Sequence, residues 1–336
     1  MSEKVVNADA KEKARALYRD AVVWDDLLSF YPNTVEEDTL HRVHAAGVTL
    51  VSLTVGQDTF FVPTNAMRLM LGIRAFCRKN PDFIVVDKAQ DIVEAKKGGK
   101  TALTFNLQGM NSMAGDITLI EQYYAAGVRQ MLLAYNQTNM VAGGCAEHND
   151  TGLSRFGIRV IKEMNRVGML VDGTHVSYRS TMEAMEICEG PFIFSHSNAY
   201  ALCPHYRNIK DDQIKSCAAT GGVIGINGFG MCLGDVDAKP ETIFKHIDYM
   251  VNLVGEKHVG IGSDYYREAA YAWSVVLASP DKWPPNDGVD HTVTGFATPE
   301  QLVDLTELMV GHGYPDESIS NILGGNFLRV ASQVWK

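Results

Sequence analysis

Eight short runs rich in apolar, β-branched and aromatic residues recur along the chain, and segments with apolar positions at helical spacing lie between them. The runs fall at residues 21–26, 48–55, 101–108, 128–136, 169–175, 192–197, 223–229 and 258–264. Residues 158–167, 240–254 and 299–311 repeat their apolar side chains every three or four positions, the period of an amphipathic helix. Such alternation predicts βα units and a parallel sheet. Eight units with no linker or break in composition predict an α/β fold, a single (β/α)8 TIM barrel spanning residues 1–336.

The runs are apolar inside and polar at or beside their ends: Asp26, Gln108, Tyr135 with Asn136, His175, His196 and Asp264. The C-terminal ends of the strands build the active site in this fold, so these side chains are expected at one mouth. A lone strand-end histidine or aspartate usually serves a loop; six strands ending this way make a site. His175 and His196 close consecutive runs and are placed to share one cation, with Asp26 and Asp264, from the first and last strands, as the carboxylates that complete a zinc site. Asp264 is suited either to bind metal or to take a proton from a metal-bound water.

Composition narrows the partners. Of 336 residues, 46% are hydrophobic and 21% charged, enough for a large core and without a disorder signature. A formal net charge of −10 and the lack of a Lys/Arg stripe argue against nucleic acid. No run reaches the roughly 18–20 apolar residues of a membrane span, and the first residues lack the apolar core of a signal peptide. The six cysteines form no C-x-x-C pair and read as reduced packing residues of a cytoplasmic protein.

Several motifs carry a specific likeness. Gly168-Met-Leu-Val-Asp-Gly-Thr-His175, Pro191-Phe-Ile-Phe-Ser-His196, His205-Tyr-Arg207-Asn208, His258-Val-Gly-Ile-Gly-Ser-Asp264 and Gly324-Gly-Asn-Phe-Leu-Arg-Val330 occur in this order. Together with Gly152–Gly157 and Glu163–Gly168 they resemble the membrane dipeptidase (renal dipeptidase, peptidase M19) family of the amidohydrolase superfamily, from about Ala21 onward. The resemblance implies a metallo-dependent hydrolase barrel, a binuclear zinc centre and dipeptide hydrolysis. It implies metal roles for Asp26, His175, His196 and Asp264, and for Arg207 a bidentate grip on a substrate carboxylate. Three positions depart from the family pattern: Trp24 replaces the histidine of His-x-Asp, Gln108 the bridging glutamate, and Tyr135 a strand-four histidine.

The departures change the expected chemistry. Two divalent cations repel, and at an effective dielectric near 20 one unit-charge pair at 4 Å is worth about 4 kcal/mol. Gln108 brings no charge to offset this, and Trp24 removes a nitrogen and is expected to fill the first ion's volume or to plug the barrel floor. We therefore expect one zinc or none, with Gln108, Asp26 or Asp264 as third ligand beside His175 and His196. Tyr135 remains a hydrogen-bond donor to an oxyanion, and Asn136 a substrate contact. The leading expectation is a hydrolase acting on an amide or peptide-type bond in a small carboxylate-bearing substrate. The alternatives are a metal-independent lyase, isomerase or lactone hydrolase of the same fold, and a ligand-binding pseudoenzyme. His205 reads as a loop residue, His148 as a possible pocket neighbour, and His41, His44, His246, His258, His291 and His312 as surface or helix residues. The aromatic stretch 265–288 is a candidate lid or pocket wall, or else a contact in a homodimer.

Overall fold

Parallel register closes the sheet on itself. A computed structural model describes residues 8–30, 34–58, 63–285 and 294–336. Strand β1 (Trp24–Ser29) lies between β2 (Leu50–Gln57) and β9 (Val259–Gly262). β2 pairs directly with β4 (Thr101–Gln108), from Leu50↔Ala102 onward. The circuit continues through β5 (Val128–Leu132), β6 (Leu170–Asp172), β7 (Ile193–Phe194) and β8 (Val223–Asn227) back to β9, making a closed eight-stranded barrel. A ninth strand, β3 (Phe83–Val85), pairs only with the start of β4 and was not foreseen, because three residues carry no period. The eight expected strands are present. Most end earlier than expected, because the chain leaves the ladder just before its polar terminal residues.

Two glycines permit the tight approach of strands at the mouth. A Cβ at Gly225 or Gly262 would lie 2.0 or 1.9 Å from the Ser195 carbonyl oxygen. The floor is apolar. Trp24, with no exposed surface, packs with Leu50, Ala102, Leu170, Ile193 and Val223 and stacks on Phe327 at 5.8 Å. Trp24 thus sits at the floor, one of the two places expected for it.

The histidines away from the mouth have structural partners. His44 Nδ1 meets Thr101 Oγ1 at 3.0 Å, His258 Nδ1 meets the Gly222 carbonyl at 2.9 Å, and His41 and His312 pack on Phe76 and Phe244. His246 is buried: its Nδ1 accepts the Ala199 N–H, and its Nε2–H donates to the Leu233 carbonyl. Burial lowers its pKa to about 4. The unfolded chain therefore binds this proton near pH 6.5 and the folded chain does not, so His246 favours folding above that pH and the benefit is lost as pH falls toward 4. His246→Gln, which keeps one acceptor and one donor, is expected to flatten the decline of Tm with pH across that window. Asn286, Asp287, Gly288, His291 and the first four residues lie outside the described residues.

Among the described residues, no helix is long and apolar enough to cross a membrane. All six cysteines are free thiols.

Candidate active site

Where the chain leaves β5, β6 and β9 it turns through left-handed backbone. Asn136, His175 and Asp264 have φ of 57°, 67° and 55°, a conformation that costs non-glycine residues energy and clusters at functional sites. The turns bring these side chains, with His196 and Gln108, to one mouth. Of the expected six, Asp26 differs: it is the third residue of β1, beside a register shift between Asp25 and Leu28, and not at a strand end.

His175 and His196 meet edge to edge, with Nε2 to Nε2 3.1 Å apart. Burial, together with the nearby Arg207 cation, holds both pKa values well below the usual range, so both rings are neutral. His175 Nδ1 lies 2.6 Å from Asn136 Oδ1, an acceptor, so its proton sits on Nδ1 and its Nε2 offers a lone pair. That lone pair is met by an Nε2–H of His196, whose Nδ1 contacts Ser195 Oγ at 2.8 Å, or by a cation.

Asp26 turns toward the floor. Its Oδ1 accepts Trp24 Nε1–H at 2.9 Å, while Oδ2 has no hydrogen-bond partner. Burial and the nearby Asp172 carboxylate raise its pKa well above the usual range. Asp172, quoted in the Gly168–His175 motif but given no role there, and Gln130, not singled out, are buried within the same barrel. Asp172 Oδ1 holds the backbone N–H groups of Thr174 and Ser195 and so fixes the approaches to both histidines.

Gln108 belongs to an uncharged network. Asn106 Nδ2 donates to Ser52, Thr54 donates to Asn106 Oδ1, and Gln108 Nε2 donates to Thr54 Oγ1 at 2.9 Å. Ser29 Oγ also donates to Thr54. A glutamate here would face hydroxyls whose hydrogens are committed elsewhere. Gln108→Glu is therefore expected to lower stability by about 1–3 kcal/mol. Urea unfolding checks this, and zinc should restore part of the loss.

Asp264 is half-buried beside Asn227, whose Nδ2 donates to it at 3.2 Å. Burial raises its pKa to about 7, against the pull of Arg207 and Asn227. Asn227 ends β8 and satisfies the same strand-end rule that singled out the others, yet it was missed. Tyr135 stacks on His175 at 4.0 Å, and burial keeps its phenol protonated. Arg207 is only 3% exposed; its Nη2 reaches the His196 carbonyl at 3.5 Å and its Nε has no hydrogen-bond partner. His205 is buried, and its Nδ1 accepts the Arg207 backbone N–H. His148 is exposed.

His175 lines two cavities. One, of about 50 Å³, is lined by Gln108, Tyr135, His175 and Asp264, and roofed by Tyr266, Tyr271, Trp283, Phe229 and Phe296. It has room for only a few water-sized groups. The other, of about 290 Å³, is lined by His175, Arg207, Cys145, Tyr206 and Lys210. The aromatic segment forms a helix, Ala269–Leu277, and acts as the wall of the first cavity.

The donor set fits one metal ion more readily than two. Two nitrogens of one tetrahedral zinc stand roughly 3.3 Å apart, given Zn–N of about 2.0–2.1 Å, close to the observed spacing of the histidine pair. A second ion lacks ligands: Trp24 presents N–H, and Gln108 carries no charge. Among the described residues, no three His, Cys, Asp or Glu side chains form a group able to hold an ion. A third ligand would have to be an oxygen of another kind, such as the Gln108 amide.

A family model, membrane dipeptidase (peptidase family M19), matches residues 46–272. An uncharacterized dipeptidase of Schizosaccharomyces pombe is 32% identical over 272 residues, covering 78% of this chain and 59% of that protein. Dipeptidase aclJ of Aspergillus oryzae is 29% identical, covering 76% of this chain and 57% of that protein. The chain thus spans somewhat more than half the length of these curated relatives. Among solved structures, an amidohydrolase from Pseudomonas aeruginosa superposes with a TM-score of 0.86 at 27% identity, covering 96% of this chain and 99% of that one. A metallo peptidase from Rhodobacter sphaeroides shares the fold, with a TM-score of 0.75 at 17% identity over 94% of this chain and 100% of that one.

Proposed function

Because this chain belongs to the membrane dipeptidase family, peptidase family M19, we propose that it hydrolyses an amide or peptide-type bond in a small substrate bearing a carboxylate. The observation that carries this reading is Arg207, a buried guanidinium with an unpartnered Nε next to the histidine pair. A buried cation with so few partners is costly unless an anion completes it. The substrate carboxylate would lie in the larger cavity against Arg207, and the scissile group would reach past His175 toward Asp264.

Asp264 takes the proton of the attacking water and returns it to the leaving amine. Its raised pKa suits a group that must both accept and give a proton near neutrality. Tyr135, protonated, donates a hydrogen bond to the oxyanion. His175 and His196 would hold one ion at most, which when bound would polarise the carbonyl and acidify water. Asp26 supports the barrel from below, through Trp24. The free thiols suit a reducing compartment, the cytoplasm.

The absence of a three-ligand group among the described residues favours a second reading, a metal-independent lyase, isomerase or lactone hydrolase using Asp264 as base. Elemental analysis of untagged protein, followed by turnover of dipeptides and acylated amino acids with and without chelator, separates the two. The first reading expects no more than one zinc per chain and turnover of such amides. Two ions per chain would refute the charge argument at Gln108; chelator-resistant turnover of other substrates would favour the second.

A further inference from the structure

We infer that Asn136 is a positioning residue whose side chain links docking of the aromatic segment to the tautomer of His175. This rests on the reading that His175 works at this site. Asn136 is fully buried, and both ends of its amide are engaged. Its Oδ1 accepts from His175 Nδ1 at 2.6 Å and from Cys145 Sγ at 3.3 Å, while its Nδ2 donates to the Lys282 carbonyl at 3.0 Å. Next to it, Gln137 Nε2 donates to the Asp281 carbonyl at 3.3 Å. Trp283 closes the contact, its ring edge-on to Tyr135 at 5.9 Å and to His175 at 6.0 Å.

An asparagine amide can be turned over, exchanging its donor and acceptor ends. The Lys282 carbonyl forbids this while the segment is docked, because the turned amide would set oxygen against oxygen. Docking thus presents Oδ1 to His175, keeps the ring proton on Nδ1 and leaves the Nε2 lone pair facing His196 and the cavity. When the segment lifts, the amide is free to turn and offer N–H to Nδ1. The ring then keeps its one proton on Nε2, exchanged through water, and the lone pair leaves the cavity. Lifting the segment would widen this narrow roofed cavity for substrate. The pocket therefore arms His175 only when closed.

The test uses protein stripped of metal by chelator, so that no ion holds Nε2, with ring ¹⁵N NMR to read the tautomer and His175→Gln to assign its signal. Hydrogen exchange across residues 278–285 reads docking. Wild type is expected to show the Nδ1–H form. Trp283→Ala should speed exchange in 278–285 and shift His175 toward Nε2–H. Adding Asn136→Asp should restore Nδ1–H with the segment still loose, because either carboxylate oxygen accepts a hydrogen bond. Faster exchange in Trp283→Ala with Nδ1–H unchanged would overturn the link, and unchanged exchange would overturn the docking role of Trp283. Neither readout uses a substrate, so an error in the proposed reaction would appear separately, as missing turnover with the tautomer behaviour intact.

Discussion

Asp264→Asn is expected to lower kcat on amide substrates by about 10²–10⁴-fold, the usual contribution of a positioned acid–base group. The substitution is close to isosteric. An asparagine oxygen still accepts from Asn227, and the left-handed backbone at this position suits asparagine as it does aspartate. What is lost is the ability to hold a proton. Tm should hold or rise, since a half-buried carboxyl no longer has to ionise. The pH profile gives the sharper check. The base works ionised, so wild-type kcat/KM should climb with pH through about 7, and that limb should vanish in the variant. A variant with wild-type turnover would remove Asp264 from the reaction.

Arg207→Met should show opposite effects on function and stability. Leaving a substrate carboxylate unpaired in a buried site costs about 2–5 kcal/mol, a loss of roughly 30- to 5,000-fold in kcat/KM. The loss should be confined to substrates that carry the carboxylate. For the matching carboxamides, compared well above pH 7 so that the lost pull of Arg207 on Asp264 does not enter, wild type and variant should turn over alike. At the same time, no salt bridge among the described residues reaches Arg207, and its Nε has no hydrogen-bond partner. Replacing this cation with a flexible apolar side chain should raise stability by roughly 1–2 kcal/mol, measured by urea unfolding. Arg207→Lys would keep the charge yet lose the fork, and should recover only part of the rate. Equal loss on carboxylates and carboxamides would mean that Arg207 serves the fold and not the substrate.

The barrel was legible because every strand shows an apolar run and most show a polar residue at or near the run's end. The same feature led to His175, His196 and Asp264, and the quoted motifs led to Arg207. Asp26 was legible as a residue but misplaced in height, because a shift of register inside β1 leaves no mark on hydrophobic pattern. Asn227 carried the right signal and went unread. Ser195 stood beside His196 without showing that its hydroxyl meets the ring. The two-ended role of Asn136 could not be read at all, since it joins a strand end to a carbonyl 146 positions later. Phe229 and Phe296 stack at 4.5 Å to roof the cavity, a contact between loops that no local period encodes.

The neutral network around Gln108 also bears on how such a mouth changes over generations. A single return to glutamate meets Thr54 and Ser29 hydroxyls whose hydrogens already point elsewhere, while Trp24 still withholds a nitrogen from any incoming ion. Gln108→Glu alone therefore carries the destabilisation of the charge, which zinc offsets only in part. The amide at position 108 is thus tied to its neighbours, and a carboxylate fits here only together with changes at Thr54, Ser29 or Trp24.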